Sequence, residues 1–156
     1  MDRQFQGINK TNYFAAFSVQ QSCHLNPWSE SVFVDSLTKP YFAFQLVIDN
    51  QTVGYYVGLN VAGEATLMDL GVSQELRGKG FGQQLLDHFI QQCVQLNCEE
   101  IWLEVRESNR TAVALYSKNK FEFVEVRKDY YPTKTGRENG LIMKARLLEG
   151  YTTRPI

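Results

Sequence analysis

The most constraining stretch of this 156-residue chain is Arg77-Gly78-Lys79-Gly80-Phe81-Gly82, three glycines and two cations directly ahead of the run QQLLDHFIQQCVQL. In that run Leu85, Leu86, Phe89, Ile90, Cys93 and Val94 recur at helical spacing, and Gln84, Asp87, Gln91 and Gln95 take much of the opposite face. An amphipathic helix therefore follows the loop. Glycine inside a helix costs roughly 1 kcal/mol relative to alanine, so the glycines belong to a turn that needs positive φ or close backbone approach. The first N–H groups of the helix lack intrahelical partners and sit at the positive end of its dipole, which makes an oxyanion such as phosphate the natural guest. The same residues also suit an ordinary glycine-rich turn, and the surrounding chain must decide.

A chain of this length fits one domain spanning 1–156 and can bury a real core. With 44% hydrophobic residues, 21% charged and a net charge of -1, it has no general attraction to nucleic acid or membrane. The N-terminus MDRQFQGINK lacks the apolar core of a signal peptide, and the apolar runs are too short to cross a bilayer, so a cytoplasmic protein is expected. Cys23, Cys93 and Cys98 form no CxxC pair, and reduced thiols are expected, Cys93 as a small core residue. His24 and His88 have no histidine or cysteine at ligand spacing, so no metal is expected.

Phe14 and Phe17, after the candidate caps Thr11 or Asn12, predict a first helix, and Ser29 caps a second that carries Phe33 and Leu37. FAFQLVID and TVGYYVGLN read as a hairpin across Asp49-Asn50-Gln51, with ATLMDLGV as the next strand after a turn at Gly63. Beyond the amphipathic helix come strand EIWLEV, a helix over NRTAVALYSKN opened by Ser108 or Asn109, strand FEFVEVRKDYY and strand GLIMKAR. The strand–helix–strand unit implies a parallel pair inside an otherwise antiparallel sheet, and the fold class is mixed α/β.

Two familiar phosphate loops fail on counting. With Gly78-Lys79 as the P-loop pair, Ser73 stands where the first glycine belongs and Gly80 where the hydroxyl belongs; a dinucleotide fingerprint from Gly78 and Gly80 needs glycine at Gln83. Arg77-Gly78-Lys79-Gly80-Phe81-Gly82, between a strand ending VS and a helix, instead resembles the acetyl-CoA loop of the GCN5-related N-acetyltransferase (GNAT) superfamily. The block LEVRESNRTAVALYSKNKFEFVEVRKDYY is similar to that superfamily's later conserved region, with one departure: Lys120 takes the place usual for glycine in the turn before Phe121. NPWSE, GEATLMDLGV, WLEVRESN and YYPT together resemble the RimI branch, which acetylates the N-terminal alanine of a ribosomal protein in bacteria. The resemblance covers roughly positions 5 to 146; the tail, about 147–156, has no assigned role.

The resemblance implies a GNAT fold, a mixed and largely antiparallel sheet with a central parallel pair flanked by helices. It implies acetyl-CoA as co-substrate and no metal. Gly78, Gly80, Phe81 and Gly82 would cradle the pyrophosphate, with Arg77 and Lys79 adding charge or merely solubility. The backbone of Leu70, Gly71 and Val72 matches the splayed strand that carries the pantetheine arm, where side-chain identity is expected to matter little. Asn109 matches a cofactor contact and equally a plain helix cap. Glu104 shares a face of its strand with Trp102, opposite Leu103 and Val105, and is a general base or a solvent-facing charge; the resemblance favours the base. Tyr116 matches the family's general acid, its alternative being a rim residue packed on the sheet.

Trp28, Tyr130 and Tyr131 are the candidate walls for a peptide, although aromatics more often build core. Glu64 and Asp69 would attract a basic segment or stand as solvated surface charges. The implied acceptor is the N-terminus of the eighteenth small-subunit ribosomal protein, handled by a monomer. Two other readings stay open: a GNAT transferase for a small amine, whose groove would carry carboxylates, and a non-catalytic acyl-CoA-binding module.

Overall fold

The structure, a computed structural model, describes residues 2–147. Its first element is a strand, β1 (Arg3–Gly7), that the sequence did not announce: RQFQG holds one apolar residue and no apolar alternation. Helix α1 (Phe14–Cys23) starts from Tyr13, not from a capping Thr11 or Asn12. The Asn12 carboxamide oxygen instead accepts from the Asn9 N–H at 2.8 Å, inside a turn. The expected α1 face is also corrected in part, since Phe14 is 65% exposed and Ala16, Val19 and Gln20 are the buried positions. Helix α2 (Glu30–Asp35) is capped as expected, the Ser29 hydroxyl accepting from the Val32 N–H.

The hairpin of β2 (Tyr41–Ile48) and β3 (Gln51–Val61) turns at Asp49 and Asn50, with φ of 50° and 67°. Two left-handed residues are what a tight hairpin needs to match strand twist. Strand β4 (Glu64–Val72) follows a similar turn at Ala62-Gly63. After a 3₁₀ turn at Gln74–Leu76 come α3 (Phe81–Gln95), β5 (Glu100–Arg106), α4 (Arg110–Lys118), β6 (Glu122–Pro132) and β7 (Arg137–Arg146).

The seven strands form one sheet in the order β1-β2-β3-β4-β5-β7-β6, every neighbouring pair antiparallel except β4 and β5. That parallel pair is the one expected around α3. Leu85, Leu86, Phe89, Ile90 and Cys93 of α3 bury against one face of the sheet with Tyr116 of α4, and the other face carries α1 and α2 around Phe33, Tyr55 and Val57. Both α3 and α4 end in the same motif. At α4, Phe121 N–H bonds to Tyr116 O at 3.0 Å and Lys120 N–H to Ser117 O at 3.3 Å, with Lys120 left-handed at φ 72°. This is the position that favours glycine, and it fixes the end of the helix that carries Tyr116.

Among the described residues no helix is long and apolar enough to cross a membrane, and no three His, Cys, Asp or Glu side chains gather as a metal site. Beyond Leu147, the tail lies outside the described residues.

Candidate active site

The site begins with a fault in the sheet. Pairing of β4 to β5 runs from Glu64↔Glu100 to Leu67↔Leu103 and stops. At the same place the β3–β4 register steps from Gly58↔Leu67 to Val57↔Asp69, leaving Met68 as an extra residue. Such a bulge bends its strand and ends local pairing. Beyond it Asp69–Val72 and Glu104–Arg106 form the two sides of a cavity of about 1040 Å³.

The glycine loop closes one end. Arg77 is extended and its Nε donates to the Val72 carbonyl at 3.2 Å, tying loop to strand. Gly78 and Gly80 have φ of 78° and 87°, and a Cβ on either would meet nothing within 4 Å. Glycine is therefore demanded by the left-handed backbone, not by crowding. Gly80 caps α3, whose first bond runs from the Gln84 N–H to Gly80 O, so the N–H groups of Phe81, Gly82 and Gln83 precede it. Gly78, Gly80, Phe81 and Gly82 line the cavity together with Arg77, whereas Lys79 does not reach it.

Leu70, Gly71 and Val72 also line the cavity, but the expectation that their side chains matter little is corrected at Gly71. A Cβ there would lie 2.7 Å from Tyr55 Cε1 and 3.1 Å from Cys23 Sγ.

Glu104 lies in the β5 wall, its side chain 29% exposed and paired with Arg127 Nε at 3.3 Å. Residues 101–105 alternate buried and half-buried, so Glu104 does share Trp102's face. Its partner comes from β6, which local sequence could not indicate.

Tyr116 enters from α4, 7% exposed, its ring 5.7 Å from that of Phe121. Burial, and then the nearby Asp69 charge, push its pKa well above the ordinary 10.0. The hydroxyl has no hydrogen-bond partner among the described residues and Tyr116 lines the cavity, so this is a neutral donor group. Asn109 lines the cavity as well, and its side chain accepts from the Ala112 N–H at 3.2 Å; it is a helix cap whatever else it does.

Trp28 combines its two readings, lining the cavity while its ring packs 6.4 Å from Phe33. Tyr131 is a wall residue under Arg106, whose Cζ lies 4.6 Å from the ring centroid; burial and the Glu104 charge raise its pKa to about 12. Tyr130 stands outside the cavity, 45% exposed beneath Arg127.

The unanticipated part of the site surrounds Asp69. It is buried, not a solvated surface charge, and bonds to Tyr55, Gln20 and His24. Glu64 is exposed at the far end of β4 and takes no part. A further pair, Arg106 and Glu138 at 3.3 Å, completes the rim.

The acetyltransferase (GNAT) family matches residues 13–121. The chain is 35% identical over 136 residues, 87% of its length and 92% of the relative's, to the [ribosomal protein bS18]-alanine N-acetyltransferase of Escherichia coli strain K12. The crystal structure of the ribosomal-protein-S18-alanine N-acetyltransferase from Escherichia coli superposes with a TM-score of 0.89 at 33% identity, covering 93% of this chain and 94% of that one. A GNAT family acetyltransferase from Elizabethkingia anophelis with acetyl-CoA bound shares the fold at TM-score 0.78 and 14% identity, covering 93% and 98%. By sequence over most of its length and by fold, the chain belongs to the acetyltransferase (GNAT) family.

Proposed function

We propose that the chain transfers the acetyl group of acetyl-CoA to the α-amino group of a protein N-terminus, with the N-terminal alanine of ribosomal protein bS18 as acceptor in the cytoplasm. The observation that carries this reading is the convergence of Glu104, Tyr116 and the left-handed glycine loop on the one cavity opened where β4 leaves β5. The relatives named for that reaction add the acceptor.

The residues divide the work by chemistry. Gly78, Gly80, Phe81 and Gly82 present backbone to the pyrophosphate, Arg77 braces the loop, and Asn109 opens α4 beside it. Bound acetyl-CoA supplies the thioester. Beyond the last β4–β5 pair the free edge of the strand offers the N–H groups of Leu70 and Val72 to the developing oxyanion, while Gly71 stays paired with Tyr55 of β3; such an interaction is worth roughly 3–4 kcal/mol per donor. Glu104 takes the proton the amine loses, and Tyr116 donates where the thiolate departs. Lys79 adds only charge at the loop, and Tyr130 acts through Arg127, which it underlies.

An α-amine of pKa ~7.8 is neutral in roughly one molecule in seven at pH 7, a lysine of ~10.4 in roughly one in 2,500. A carboxylate base therefore suits an N-terminus better than lysine. Glu104 and Glu138 each carry an arginine partner, and the third acid of the wall, Asp69, is buried and taken up by Tyr55, Gln20 and His24, so the wall offers little exposed, unpartnered negative charge to a polyamine.

The test is thiol release from acetyl-CoA with a peptide bearing the bS18 N-terminus, beside the same peptide with its α-amine blocked and beside a polyamine. Release with the free α-amine alone is expected. Release with polyamine alone would reassign the acceptor, and silence with intact acetyl-CoA binding would leave a binding module.

A further inference from the structure

Asp69 is a buried carboxylate in the cavity wall, its side chain 6% exposed, and the chemistry above does not use it. Its Oδ2 accepts from the Tyr55 hydroxyl at 2.8 Å and from Gln20 Nε2 at 3.3 Å; its Oδ1 lies 2.8 Å from His24 Nε2. Three different elements thus supply its partners: α1, the segment just after it, and β3. His24 is the one partner that reaches solvent, 35% exposed, and it also lines the cavity.

The network assigns the tautomer. A carboxylate can only accept, so Nε2 carries the hydrogen and, in the neutral ring, Nδ1 carries the lone pair. The Tyr55 hydroxyl, its own hydrogen given to Asp69, lies 3.4 Å from Nε2 and adds a second acceptor on that side. Nδ1 has no hydrogen-bond partner among the described residues. A half-exposed imidazole with one nitrogen clamped by a buried acid and the other bare is arranged to accept a proton.

We infer that His24 is a second proton acceptor of the site, oriented by Asp69, which takes the first proton from an acceptor that arrives as an ammonium ion. This rests on the acetyl-transfer reading. A protonated N-terminus must lose two protons to become an amide, and Glu104 accounts for one. The first N–H bond breaks toward His24 Nδ1, and Asp69 balances the imidazolium charge. The C–N bond then forms and the C–S bond breaks; Glu104 receives the second proton, and Tyr116 supplies one to the thiolate and is restored from Glu104. His24 returns its proton to solvent through its exposed face, so one proton is released per turnover. The titratable groups around the ring are Asp69 from β4, Tyr55 from β3 and Cys23 from α1, with Tyr116 of α4 close enough to feel the Asp69 charge.

The experiment is kcat/KM for the free-amine peptide from pH 6 to 9 with His24→Gln, and with Asp69→Asn as a positioning variant. Below the amine's pKa of ~7.8 the variant should lose about tenfold per pH unit, because only the minor neutral acceptor reacts, while the parent falls less steeply. The deficit should reach about 10²-fold near pH 6 and shrink to a few-fold at pH 9, with acetyl-CoA binding unchanged. Asp69→Asn should reproduce the profile. A deficit of equal size at every pH, or none, would overturn the inference. If Asp69→Asn fails to fold, His24→Gln at a partly exposed ring still decides. A parent enzyme silent with the peptide would instead remove the N-terminal-acceptor reading on which the inference rests.

Discussion

Replacing Tyr116 with phenylalanine separates a chemical role from a structural one, because the structure sets opposite expectations for rate and stability. The ring is buried against Phe121 and survives the change. Since the hydroxyl has no partner among the described residues, its removal strands no buried polar group. Stability should therefore move by no more than about 0.5 kcal/mol, about 1–2 °C in Tm for a chain this long. Turnover should fall 10²- to 10⁴-fold, or about 2.7–5.4 kcal/mol of barrier at 1.36 kcal/mol per tenfold. Burial and Asp69 hold the phenol pKa above its ordinary 10.0, so the hydroxyl keeps its proton and the deficit should be uniform from pH 6 to 9. Thiol release gives kcat, calorimetric titration gives acetyl-CoA affinity, and a thermal melt gives Tm. A kcat within about threefold of the parent refutes the general-acid role; so does a rate loss matched by a fall in Tm or in acetyl-CoA affinity.

Glu104→Gln should lower kcat by about 10²-fold or more with acetyl-CoA affinity intact, since the loop proposed to hold the phosphates is elsewhere; a binding assay beside the rate assay checks both. Gly71→Ala forces a Cβ to within 2.7 Å of Tyr55 and should cost about 1–3 kcal/mol, read as a Tm fall of roughly 2–10 °C, and an unchanged melt would refute the crowding. His88, stacked 4.0 Å from Phe5 and 2.7 Å from the Tyr56 hydroxyl, is held by burial below its ordinary 6.5. The unfolded chain then binds the proton more readily, so this contribution is complete above pH 6.5 and declines as pH falls below it. The Tm of the parent should drop more between pH 7 and 5 than that of His88→Phe, and parallel curves would contradict this.

Local patterning carried much of the architecture. The 3.6-residue stripe from Leu85 to Val94, the turns at Asp49-Asn50 and Gly63, and the order of strands and helices after β1 are written in near neighbours, so they are legible without a fold. The glycine loop was legible for the same reason, and of its two readings, positive φ or close approach, the structure bears out positive φ at Gly78 and Gly80. The roles proposed for Glu104 and Tyr116 were not, because spacing left each beside an ordinary alternative and only the family resemblance favoured chemistry. β1 escaped notice as a polar strand whose pairing partner lies some forty residues away. Phe14 kept helical spacing yet faces solvent, because which stripe of a helix is buried depends on what packs against it.

The bulge at Met68 made the largest difference. Side chains alternate across a sheet, so one extra residue moves everything after it to the opposite face. Ala65 and Leu67 point toward α3, whereas beyond the bulge Leu70 and Val72 take that side and Asp69 turns toward Tyr55, Gln20 and His24. Sequence alone determined the elements after β1, their order and the glycine loop, since those depend on residues a few positions apart. The cavity, the pairing of Glu104 with Arg127 and the burial of Asp69 depend on register between strands distant in the chain, and only the tertiary structure decided them.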